Sequence, residues 1–365
     1  MEFETQKTND ILKNCNFIKT VLMISVVLAH SCLFWGGDWF SCLPLEEKLV
    51  LLPHFGKWMC SYNIYCFVLI SGYIFYYIKQ EQRGYKTFKE FLLKKTKRLL
   101  VPYFFVTLVW CIPIACFFRN YTIKEFIFLY ILGTSGEQLW FLLMLFWVFM
   151  FFYFIANFVD KHPIIGGGIA LLFYMVGLVV GKFVPDFYRI WTGFKYMPFF
   201  YLGFMFRKIG VKVLDKVPSL VYILFDIILY VANYYLSGAG VDGAVYKVLR
   251  VCLEFVLNTA GAVMAFIVLQ RLAKRINWNN KFFLFISDKS MAVYLFHQQI
   301  IYFVLYFFNN AISPYAHASL NFIISFCISL IISSILMLWN PTRFLIGEKA
   351  IKKEEKKDNK DNSET

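Results

Sequence analysis

Charge is scarce in this chain of 365 residues: Asp, Glu, Lys and Arg make up 16%, where a soluble domain carries about a quarter. With 59% hydrophobic residues and a mean hydropathy of +0.59, that scarcity excludes a water-soluble globular class. Acidic residues are the scarcer sign, 23 against 37 Lys and Arg. The nine cysteines contain no C-x-x-C pair and no metal-ligand spacing, and the five histidines contain no H-x-x-x-H, so no metal is expected. The apolar runs do not alternate with polar positions, which excludes the strands of a membrane barrel. No small-residue cleavage site follows the first apolar run, so that run reads as retained rather than as a signal peptide. No appended soluble domain is expected.

What remains is a succession of apolar stretches near 20 residues long, the length an α-helix needs to cross a bilayer core of ~30 Å. The expected fold is all-α and polytopic, with spans near 17–36, 59–78, 99–118, 139–159, 164–184, 195–206, 218–236, 251–270, 284–308 and 318–339. Of these, 195–206 is short for a full crossing, and 124–133 reads as an interfacial or re-entrant helix. Residues 1–340 form one membrane domain on this reading, and 341–365 a charged, solvated tail. With both termini on the cytoplasmic side, 28 of the 37 Lys and Arg fall inside, eight of them in 79–98. That asymmetry is the positive-inside bias. It accounts for the net charge of +14 without a nucleic-acid partner. Cys15, Cys66, Cys111, Cys116, Cys252 and Cys327 read as small apolar residues in or beside helices. Cys32, Cys42 and Cys60 lie near the outer face, where a disulfide and free thiols are both open.

Lys19 and His30 stand eleven positions apart within FIKTVLMISVVLAHSCLFW. Eleven steps of ~100° make three turns plus ~20°, so both side chains leave one helix face, ~16 Å apart along the axis. An ionisable residue inside a membrane span marks a functional site by default. A neutral imidazole in a dry pocket is the form a general base requires; a satisfied structural histidine is the competing reading of His30. The loop KQEQRGYKTFKEFLLKKTKR is either a topogenic anchor or a phosphate-binding surface, on which Lys95 and Arg98, three apart, share a face. Pro102 fits a helix start or a kink. His297, followed by Gln298 and Gln299, sits mid-span and serves either hydrogen bonding or chemistry. Asp226 and Glu254 are intramembrane acids that pair with a cation, move protons, or are solvated. Glu137 stands at the outer entrance of the fourth span; Trp140 beside it is an interfacial anchor or a stacking surface for a sugar. His54, His162 and His317 fall in loops or at span ends.

Several segments, in order, resemble the acyltransferase-3 family of integral membrane O-acyltransferases. FIKTVLMISVVLAHS is similar to that family's basic residue, ten-residue gap and histidine. YCFVLISGYIF (Phe67, Ser71, Gly72, Tyr73), KKTKRLLVPY (Lys95, Arg98, Pro102, Tyr103) and QLWFL (Trp140, Phe141) follow. Then come KYMPFFYLGFMF (Pro198, Phe199, Gly203) and SMAVYLFHQ (Tyr294, His297). The resemblance implies transfer of an acyl group, usually acetyl, from cytosolic acyl-CoA to a hydroxyl of a surface glycan. It implies no bound cofactor, acetyl-CoA being the donor substrate. His30 would be the catalytic base, and Lys19 would take a place usually held by arginine. Arg98 and Lys95, with Lys95 again where arginine is often found, would hold the donor, and Ser71, Trp140, Glu137 and His297 would line the substrate path. Lysine keeps the charge but loses the planar fork of arginine, which bears on donor geometry more than on reaction class. The setting implied is the plasma membrane of a bacterium, an origin that abundant Phe, Ile, Lys and Asn also suits. The competing function is a polysaccharide or lipid-linked sugar exporter without acyl-transfer chemistry, which would use Asp226 and Glu254.

Overall fold

A computed structural model describes residues 2–37, 39–45, 48–134, 137–238 and 243–351, with side chains described from Ile11 onward. Its regular structure is helical, and no strand occurs among the described residues. The long helices are α1 (Glu2–Cys32), α2 (Leu51–Glu81), α3 (Phe88–Phe118), α4 (Trp140–Lys161), α5 (Pro163–Phe183), α6 (Ile190–Ile209), α7 (Ser219–Gly238), α8 (Ala244–Arg275), α9 (Lys281–Phe308) and α10 (Pro314–Leu336). Among the described residues nine of these are long and apolar enough to cross a bilayer. The fold is therefore that of an all-α polytopic membrane protein.

The exception is α6, over the stretch expected at 195–206. It is not short: its 20 residues rise ~30 Å. Its hydropathy falls because it carries Lys195, Arg207, Lys208, Pro198 and two glycines. Those glycines place it in the core. A Cβ on Gly203 would lie 1.7 Å from the Leu69 carbonyl oxygen, and one on Gly72 2.0 Å from that of Phe200. The backbones of α2 and α6 touch there, the packing that small residues permit between membrane helices. Phe75, Phe152, Phe200 and Phe204 fill the space beside this crossing.

Helix starts follow local chemistry. Thr87 and Asn280 accept from the backbone amides of Glu90 and Phe283, at 3.2 and 2.8 Å, and Pro163 and Pro314 open α5 and α10. Along α3, π turns at Thr96–Leu100 and Thr107–Cys111 come just before Pro102 and Pro113. Proline cannot donate to the carbonyl four residues back, and a wider turn absorbs the missing bond. Within 124–133, expected as an interfacial or re-entrant segment, the chain forms one short helix over 123–131, opened by a Thr122–Glu125 capping box and widened to a π turn over Ile127–Ile131.

Helix α1 packs against α2, α8, α9 and α10, so its polar residues point into protein as well as lipid. Beyond α10, residues 341–351 are folded although they fall in the stretch expected as a solvated tail. A last helix, α11 (Asn340–Leu345), precedes Ile346, which is fully buried. The remainder of that tail, 352–365, lies outside the described residues.

Candidate active site

α1 runs unbroken through both Lys19 and His30, so the helical spacing expected of them holds. His30 meets His297 of α9: Nδ1 of His30 lies 2.9 Å from Nε2 of His297, and the rings stack with centroids 5.1 Å apart. His297 is wholly buried, and its Nδ1 lies 2.9 Å from the carbonyl oxygen of Tyr294. A carbonyl only accepts, so Nδ1 of His297 carries hydrogen. With both imidazoles neutral, Nε2 of His297 is then the acceptor, and Nδ1 of His30 is the donor to it. The lone pair of His30 is left on Nε2. Trp39, in the segment after α1, approaches the His30 ring to 5.8 Å between centroids and reaches Tyr302 at 5.3 Å.

Around this pair stands a polar network joining α9 to the start of α4. Tyr294 donates from its hydroxyl to the Gln138 carbonyl. The Gln138 side-chain amide donates to the Leu295 carbonyl at 2.9 Å and to Gln299 Oε1 at 2.8 Å. Gln299 Nε2 lies 2.6 Å from Glu137 Oε2, while Glu137 Oε1 accepts from the Tyr130 hydroxyl at 2.9 Å. Burial and then the neighbouring carboxylate push the Tyr130 phenol well above its ordinary pKa, so it stays a donor. Gln298 instead turns to Tyr302.

Of the remaining predicted residues, Trp140 and Ser71 stay off the histidine pair. Trp140 packs 5.9 Å from Tyr196 and 6.3 Å from Phe141, which in turn lies 6.0 Å from Tyr294. Ser71 donates back to the Phe67 carbonyl of its own helix at 2.8 Å. Among the described residues Glu137 connects to the pair through Gln299, Gln138 and Tyr294, whose carbonyl oxygen faces His297 Nδ1.

The other end of α1 is basic. The Arg98 charge bears on both Lys95 and Lys19, and that of Lys19 on Lys95, so these three cations from α1 and α3 share one region. Lys95 Nζ sits 3.4 Å from the centroid of Phe149 and 5.5 Å from that of Phe91, an aromatic cradle for its ammonium. Between Lys19 and His30 the same face of α1 carries Met23 and Val27, 2% and 0% exposed. Both join the apolar core, so the face is filled by side chains along its length.

Several candidates lie apart from the site. Asp226 is fully buried on α7, where Oδ2 accepts from Trp58 Nε1 at 2.8 Å and Oδ1 has no partner among the described residues. Glu254 and His162 are exposed. His54 faces the Tyr230 hydroxyl at 2.9 Å, and His317 the Val304 carbonyl at 3.2 Å. Cys32, Cys42 and Cys60 are free thiols, and Cys42 Sγ accepts from Arg119 Nε at 3.1 Å. Among the described residues no group of three or more His, Cys, Asp or Glu side chains is placed to hold a metal ion.

Trp39, Gln138 and Tyr302 were not foreseen as site residues, and nothing in their local sequence separates them from ordinary membrane aromatics and polar loop residues. Gln299 carried a signal, as one of three consecutive polar residues inside a span. Comparison with protein families matches the Acyltransferase domain over residues 12–338. No curated protein and no solved structure matches.

Proposed function

This chain belongs to the membrane acyltransferase family matched over residues 12–338, and we propose that it moves an acyl group, acetyl in the first instance, from cytosolic acyl-CoA to a hydroxyl of a cell-surface polysaccharide or other glycan. The single observation that carries this reading is the His30–His297 contact at 2.9 Å, with the far nitrogen of His297 tied to a carbonyl. That arrangement orients His30 and leaves its Nε2 as a base.

In the proposed reaction the acceptor hydroxyl gives its proton to His30 Nε2 as its oxygen attacks the thioester carbonyl carbon. The carbon–sulfur bond then breaks, and His30 returns the proton to the departing thiolate, giving ester and free thiol. While His30 is an imidazolium, its Nδ1–H bond to His297 becomes charge-assisted, which stabilises the charged form at the moment it is needed. Lys19, Lys95 and Arg98 hold the phosphates of the donor at the basic end, and the ~16 Å of α1 between Lys19 and His30 suits the reach of a pantetheine arm. Because Met23 and Val27 fill that face, the arm enters by moving them. Trp140, Ser71 and Glu137 line the path on this reading, and the basic end faces the cytoplasm of a bacterial plasma membrane.

The test is the ester-linked acetyl on surface polysaccharide from cells making the intact protein, beside cells making His30→Ala at equal membrane level. Loss of acetyl with polysaccharide export unchanged supports transfer. Unchanged acetylation with altered polysaccharide at the surface points instead to an exporter.

A further inference from the structure

Arg98 is already engaged by an anion of the chain itself. Its Nη1 donates to the Gly347 carbonyl at 2.5 Å and lies 2.9 Å from Glu348 Oε1. Both partners belong to the strap formed by α11 and the residues after it. The strap is fixed without that carboxylate. Ile346 is fully buried, the Glu348 amide donates to the Arg343 carbonyl at 2.7 Å, and the Ile351 amide to Asn340 Oδ1 at 2.7 Å. Gly347 has φ +74°, and a Cβ there would stand 2.7 Å from Pro102 Cγ and 2.9 Å from the Arg98 carbonyl oxygen. Pro102 cannot donate to that carbonyl, so the strap lies against the part of α3 where the helical ladder is open. The Glu348 carboxylate also acts on Lys19, beside the like charges of Arg98 and Lys349.

We propose that Glu348 is an internal anion that occupies Arg98 and must yield to the phosphate groups of an incoming donor, so that the strap Asn340–Ile351 sets donor affinity at the basic mouth. This rests on the reading of Arg98 as a donor-binding residue. The exchange is open on one side: the Arg98 side chain is 47% exposed while that of Glu348 is 13% exposed, so an incoming anion reaches the guanidinium, whose pairing is partly screened by solvent. A phosphate offers more charge and more acceptor oxygens than one carboxylate. Anchoring by Ile346 and Gly347 keeps the strap at the mouth, so its carboxylate competes as a tethered group.

The experiment is titration of coenzyme A into the full-length protein in lipid nanodiscs, by calorimetry, for the wild type, Glu348→Gln and Arg98→Gln. Hydrogen exchange of the Gly347, Glu348 and Ile351 amides is followed in parallel. Glu348→Gln is expected to bind coenzyme A roughly two- to fivefold more tightly, Arg98→Gln to bind it more weakly, and coenzyme A to speed exchange at the three amides in the wild type. Equal or weaker binding by Glu348→Gln, while Arg98→Gln is impaired, overturns the competition and makes Glu348 a brace for Arg98. Binding by Arg98→Gln at the wild-type level overturns the donor-site reading itself, and the inference with it. If Glu348→Gln does not accumulate, wild-type exchange decides: unchanged amides on coenzyme A binding overturn the proposal.

Discussion

In the proposed mechanism His297 is the residue that makes His30 a one-sided base. Replacing it with phenylalanine keeps an aromatic ring on α9 but removes the acceptor for His30 Nδ1–H, so the His30 tautomer is no longer selected. We expect His297→Phe to lower kcat by about 10²–10³, within the range general-base catalysis contributes, with KM for acyl-CoA unchanged. Membrane transfer assays at matched protein level check this, and a loss confined to protein abundance would assign His297 to packing alone. Asp226 gives the contrasting case: its Oδ2 accepts from Trp58, far from the histidine pair in sequence and in the hydrogen-bond network. Asp226→Asn keeps an acceptor for the indole and is expected to retain transfer activity. Asp226→Leu strands the indole N–H and is expected to cost about 1–3 kcal/mol of stability, read as a lower Tm in detergent. Loss of polysaccharide export in Asp226→Asn would instead favour the exporter. The sequence revealed Lys19 and His30 as a pair on one helix face and His297 on its own, because an ionisable group in an apolar run stands out. It could not reveal their partners. Helical spacing says which face a residue occupies, and the residue that meets it across 267 positions is set by packing.

Helices were legible as elements because the apolar runs match the bilayer, and the ten expected spans each correspond to a long helix. The least apolar of them, α6, shows why hydropathy alone undervalues a core helix. Gly203 and Pro198 lower its mean, yet Gly203 is what lets α6 meet α2 backbone to backbone. Gly203→Leu is expected to prevent the α2–α6 crossing, so that the protein fails to accumulate in the membrane or loses its folded peak in size-exclusion chromatography. Gly168→Leu on α5, where an added Cβ meets nothing within 4 Å, is the matched substitution and is expected to leave abundance and activity unchanged. Equal behaviour of the two variants would contradict close packing at Gly203. The folded strap over 340–351 was hidden for a related reason. Its anchors, Ile346 and Gly347, stand immediately before the run 348–361, whose composition is dominated by charge.

At the scale of the whole molecule, the distribution of cations decides which substrate meets which end. On the proposed orientation Lys19, Lys95 and Arg98 face the cytoplasm, the donor would be reached from the cytosol, and His30 would lie ~16 Å deeper toward the opposite face. Orientation then becomes a measurable premise of the chemistry. Lys182 in the last turn of α5 and Lys274 in the last turn of α8 are both exposed and fall on opposite sides in this arrangement. In a background whose exposed cysteines Cys116, Cys252 and Cys327 are replaced by alanine, Lys182→Cys is expected to react with a membrane-impermeant maleimide on intact cells. Lys274→Cys is expected to react only after the membrane is opened. The reverse pattern would put the basic cluster outside, away from the acyl-CoA pool, and the donor would then have to be something other than a cytosolic thioester. The acyltransferase fold and the histidine pair would survive that result; the assignment of Arg98, Lys95 and Lys19 to the donor would not.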